Sequence, residues 1–99
     1  MINQIVQFYV KSEYKEDFEA ALIEDKKNAE QEPGCIEIRL FTDDNNPYLI
    51  FSLESWKDHA ALDYHREHPY TVKLCKLLEK YLETGVEVYD VSEIVETDR

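Results

Sequence analysis

Trp56 and His65 are the two side chains with the clearest chemical capacity, and they stand nine residues apart. Histidine is the one side chain whose ordinary pKa lets it take or give a proton near neutrality. Tryptophan adds a flat apolar wall and a single N–H donor. Together with Tyr9, Tyr48, Phe51 and Tyr64 they can bound a pocket for a small planar aromatic substrate, with His65 handling its proton. The same residues also serve as ordinary core and rim packing, and the sequence leaves both uses open. If one helix carried both Trp56 and His65, nine residues would span about 2.5 turns and the two rings would not stack.

Other chemistries lack their residues. Two glycines cannot build a GxGxxG or GxxxxGK[ST] phosphate cradle. No GxSxG element is present, and Ser55 reads as a helix cap rather than a nucleophile. Cys35 and Cys75 stand alone without CxxC spacing. They read as reduced, buried packing residues rather than a disulfide, a zinc site or a nucleophile. Glu54, His65 and His68 match no metal-ligand spacing, so no metal is expected. His59 and His68 fall at exposed turns or helix ends. Glu37 and Arg39 read as cross-strand or dimer-edge ion partners.

These residues need elements to position them. Ile5–Val10 alternates as a strand that is apolar on both faces, which suits a central position. Glu13–Gln31 reads as an amphipathic helix capped by Ser12. Its stripe is Tyr14, Phe18, Ala21, Leu22, Asp25 and Ala29, with Asp25 the one polar interruption. Pro33-Gly34 ends it, with Gly34 suited to a left-handed position. Cys35–Thr42 alternates, with Ile36, Ile38 and Leu40 sharing a face. The turn formers Asp43-Asp44-Asn45-Asn46-Pro47 connect it to a partner strand over Tyr48–Glu54. A short helix is expected over Trp56–Arg66, capped by Ser55. A second begins at Pro69, with Val72, Leu74, Cys75, Leu78, Tyr81 and Leu82 as its buried stripe, and ends at Gly85. Val86–Val91 is the last strand.

The resulting order, with a split second helix, is βαββαβ: an α+β ferredoxin-like unit with an antiparallel four-stranded sheet. Right-handed crossovers place the helices on one face. The other face carries apolar residues from the first, third and fourth strands, so a second copy is expected to cover it in a two-fold homodimer. One domain is expected over residues 1–95, with 96–99 a frayed tail. Eleven basic against 22 acidic residues give a net charge of −11. That charge disfavours nucleic acid and anionic membrane surfaces. The sequence contains neither a long apolar run nor a leader-like N-terminus, so the expected location is cytoplasmic.

The segments Glu32-Pro33-Gly34-Cys35, Glu54-Ser55-Trp56, Ala61-Leu62, His65 and Pro69 resemble the antibiotic biosynthesis monooxygenase family, across about Ile2–Ile94. The resemblance implies a dimeric α/β barrel of ferredoxin-like protomers. It also implies a cofactor-independent monooxygenase that oxidises a small quinol or other aromatic with O2, needing no flavin, haem or metal. His65 would be the base or orient a substrate oxygen, and Trp56 would shape the pocket and donate a hydrogen bond. Gln7 is the nearest inward-facing amide to a strand-borne Asn that several members use. Trp56–Lys76 is also similar to a branch of isomerases acting on a phosphorylated dione. The alternatives are therefore a dicarbonyl isomerase using His65 for proton transfer, and a non-catalytic dimer binding a small ligand or haem.

Overall fold

Side-chain alternation in β1 (Ile2–Tyr9) divides the molecule into two sides. Gln4, Val6 and Phe8 turn inward and are buried, while Ile5, Gln7 and Tyr9 turn to the opposite face. The structure, a computed structural model describing residues 1–96, continues through a short 3-10 turn (Ser12–Tyr14) into α1 (Lys15–Ala29). Strands β2 (Cys35–Thr42) and β3 (Leu49–Trp56) follow. Then come α2 (His59–Glu67), α3 (Pro69–Tyr81) and β4 (Glu87–Val91). The sheet order is β2-β3-β1-β4, antiparallel throughout, and all three helices lie over one face. This is the ferredoxin-like α+β fold. The expectation of a frayed 96–99 tail falls almost wholly on residues 97–99, which lie outside the described residues.

Two apolar clusters hold helices to sheet. One gathers Val6, Phe8, Val10, Phe18, Leu22, Ile50 and Leu82, with Phe8 and Phe18 packed edge to face at 5.1 Å. The other gathers Ala29, Ile38, Trp56 and Leu62. Full burial of the Val, Leu, Ile and Phe side chains among them stabilises by about 1.5–3 kcal/mol each.

Several local expectations are corrected. Trp56 ends β3 instead of starting a helix, pairing with Ile2 and Cys35. Asp58 caps α2, its Oδ1 accepting the Ala61 N–H at 2.8 Å. Ser55 Oγ instead donates to Asn3 Oδ1 across the sheet at 2.7 Å. Ser12 makes no side-chain cap, because the chain first turns through the 3-10 segment. Ile36 sits at a β-bulge and is exposed, so only Ile38 and Leu40 face the helices. Gly34 has no left-handed backbone. It is needed because a Cβ there would overlap Cβ of Ala61 on α2. Along α3 the inward stripe runs through Thr71, Leu74 and Leu78, leaving Val72 and Cys75 exposed. Cys35 is half-buried.

Candidate active site

Between the two apolar clusters lies a cavity of about 170 Å³, walled by the sheet on one side and the helices on the other. His65 reaches it from α2 and is only 6% exposed. Its ring stacks on Trp56, with centroids 4.5 Å apart and planes tilted by 31°. The stacking is possible because the two residues belong to different elements: β3 ends at Trp56, and Asp58 starts α2 afresh. Trp56 is fully buried and its N–H donates to Glu54 Oε1 at 3.1 Å. It therefore backs the histidine, with its one donor already used within the protein.

Glu32, in the turn after α1, is the partner that sequence reading passed over. It is 7% exposed, and its Oε2 lies 2.8 Å from His65 Nδ1 and accepts from the Tyr70 hydroxyl. A carboxylate oxygen only accepts, so Nδ1 is the donor in this bond, which leaves Nε2 as the lone-pair nitrogen whenever the ring is uncharged. Nε2 has no hydrogen bond among the described residues. The other carboxylate oxygen, Oε1, has none either, with His68 Nδ1 4.0 Å away. Burial and then the bond to Glu32 raise the Tyr70 phenol above its ordinary value, so it stays a donor.

Two carboxyl groups line the cavity, Asp25 from α1 and Glu54 from β3. Glu54 is held by Trp56 and by Ser52 Oγ, which donates at 3.2 Å. Asp25 is pushed up to about 6, first by burial; His65 pulls it down, while Glu54 and Glu32 push it up. Partial desolvation also raises both thiols, Cys35 and Cys75, which keeps them protonated. No cluster of metal-ligating side chains occurs among the described residues.

The other residues singled out from sequence lie elsewhere. Gln7, Tyr9 and Phe51 are on the sheet face turned away from the helices, because their strand parity opposes that of Val6 and Ile50. Tyr48 closes the β2–β3 turn, its N–H donating to Asn46 Oδ1. Tyr64 is exposed on α2, edge-on to His68 at 4.5 Å. The inward-facing amide of β1 is Gln4, which lines the cavity and donates to Asp90 at 2.7 Å.

The sequence pattern of the antibiotic biosynthesis monooxygenase family matches residues 1–76. The chain belongs to that family. A crystal structure of an antibiotic biosynthesis monooxygenase superimposes with a TM-score of 0.89 at 26% identity, covering 96% of this chain and 100% of that one. A conserved protein from Methanosarcina mazei Go1 gives 0.88 at 25% identity, covering 94% of this chain and 92% of the other. An uncharacterized Synechocystis protein is 36% identical over 90 residues, covering 85% of this chain. The chain spans 58% of that relative's length. The family match takes in α1, β3, α2 and most of α3, which carry polar residues of the cavity, and the turn that carries Glu32, the partner of His65.

Proposed function

We propose that this family member is a cofactor-independent monooxygenase that oxidises a small, single-ring quinol with O2, working as a homodimer. The observation that carries the reading is His65 itself. It is a buried imidazole with Nδ1 fixed by Glu32, placed at an otherwise largely apolar cavity. This supports general-base chemistry in which Nε2 takes the phenolic proton and Glu32 balances the charge left on the ring. Deprotonation makes the substrate a strong one-electron donor. The quinolate passes an electron to O2, and the resulting pair combines at a ring C–H position. One oxygen atom stays on the ring and the other leaves as water, so a hydroquinone plus O2 gives a hydroxyquinone plus H2O. The substrate supplies all four electrons and no separate reductant enters.

Size supports the substrate class. A cavity of about 150 Å³ is known to hold benzene, so about 170 Å³ has room for one substituted ring. Charge supports it too. Asp25 and Glu54 line the space, and of its two cationic neighbours Lys26 is already paired with Glu30 at 2.9 Å. A phosphorylated dione would meet repulsion there. Dioxygen uptake with a panel of single-ring quinols tests the reading. His65→Ala is expected to lower turnover about a hundredfold or more. Unchanged uptake would remove His65 as the base, and substrate conversion without oxygen would replace oxygenation by isomerisation.

A further inference from the structure

Most polar groups lining the cavity are paired within the protein, on the helix side His65 with Glu32 and Lys26 with Glu30. On the sheet side each polar lining group has a partner: Gln4 bonds Asp90, and Ser52 and Trp56 both bond Glu54. The exceptions are on the helix side: Thr71 is 7% exposed, and its buried Oγ1 has no hydrogen-bond partner among the described residues. Asp25 Oδ1 is likewise buried and unpartnered. Both residues line the same cavity as His65. A buried hydroxyl or carboxyl oxygen left without a partner costs about 1–3 kcal/mol, so two on one wall of one cavity are a cost that a bound ligand can relieve.

We propose that Thr71 and Asp25 form a second polar subsite that holds another hydroxyl of the substrate, so that the ligand is an uncharged ring bearing two hydroxyls, one on His65 Nε2 and one on this pair. The inference rests on the single-ring quinol reading and sharpens it. A hydroxyl suits the pair because it donates and accepts at once: Thr71 Oγ1 donates to its oxygen, and Asp25 Oδ1 accepts its proton. The titration of Asp25 near 6 leaves it mainly a carboxylate acceptor at pH 7.5. A methoxy or carbonyl substituent at that position satisfies Thr71 alone, and a phenol satisfies neither.

Anaerobic NMR titration with phenol and with the 1,2-, 1,3- and 1,4-benzenediols tests this without turnover. At least one diol is expected to bind the unaltered protein about five- to tenfold more tightly than phenol, the ratio one good hydrogen bond supplies. Thr71→Val, close in shape, is expected to erase that preference while phenol affinity stays within about twofold. Thr71→Ser, which keeps the hydroxyl, is expected to retain the preference, and this arm holds even if the valine variant folds poorly. Equal binding of phenol and every diol, no binding of any, or a preference that survives Thr71→Val overturns the inference. A diol preference lost in Thr71→Val, in a protein that consumes no O2, overturns the oxygenase reading and leaves the subsite standing.

Discussion

Asp25 is the cavity's most informative single residue, because its environment works against its charge. An aspartate ordinarily titrates at 3.8, and burial here carries it to about 6. Between those values the folded chain holds the proton more tightly than the unfolded chain. The contribution of Asp25 to stability is therefore greatest below about pH 4, falls as pH rises to about 6, and stays lowered above that. Asp25→Asn removes the charge and is expected to stabilise by about 1 kcal/mol at pH 7.5, the shift being discounted for partial exposure. At pH 4 the gain should nearly vanish. Urea denaturation midpoints at the two pH values check both size and sign; an equal gain at both would mean that the charge of Asp25 costs the fold nothing. Asp25 was visible in the sequence as the polar break in the α1 stripe, and His65 and Trp56 by their chemistry. Glu32 was not, because its contact with His65 crosses 33 positions and depends on how α2 lands on the turn after α1. Thr71 was hidden by the more apolar Val72 beside it.

At the scale of elements, α2 decides whether a site exists, and Gly34 fixes how closely α2 can approach. Lys57 N–H donates to the Gly34 carbonyl at 2.9 Å, tying the start of β2 to the segment leading into α2. The Ala61 Cα would lie 3.3 Å from a Cβ at position 34, and its own Cβ would overlap it. Gly34→Ala is expected to cost about 1–3 kcal/mol by overpacking and to shift His65 against Trp56. Adding Ala61→Gly should recover part of the loss despite the helix penalty of about 1 kcal/mol for glycine. Thermal denaturation of the two single variants and the double checks the coupling; additive losses would show that the two positions do not press on each other. The alternation of β1 and the proline start of α3 were legible because period and backbone chemistry are local, whereas the bulge at Ile36 broke the expected alternation of β2. The true end of β3 was not. Its inward face, Ile50-Ser52-Glu54-Trp56, is half polar, since those polar groups are satisfied by each other. A pattern of alternating hydrophobicity cannot register such a face, so Trp56 reads as the start of the next element.

The whole molecule leaves the outer sheet face to be explained. Leu49, Phe51 and Leu53 of β3 lie there half-buried, beside Ile5 of β1 and Val91 of β4, while Tyr9 and Tyr89 are 41% and 45% exposed. The more apolar side of β3 thus points away from its own helices. No helix among the described residues is long and apolar enough to cross a membrane. A contiguous apolar sheet face of this kind marks an association surface, and self-pairing about a two-fold axis gives the dimer proposed above. Each copy carries −11, so the contact must be held by apolar burial against net repulsion. Sedimentation equilibrium at micromolar concentration is expected to give twice the 11.8 kDa chain mass. Association should strengthen as salt rises from about 0.01 M to about 0.15 M, because the Debye length shortens from about 30 Å to about 8 Å. Leu53→Lys adds a charge at the middle of the face without touching the cavity on the other side, and is expected to yield a monomer that keeps its near-ultraviolet signal from Trp56. A monomeric unaltered protein, or a Leu53→Lys variant that still pairs, would mean that this face is not where two copies meet.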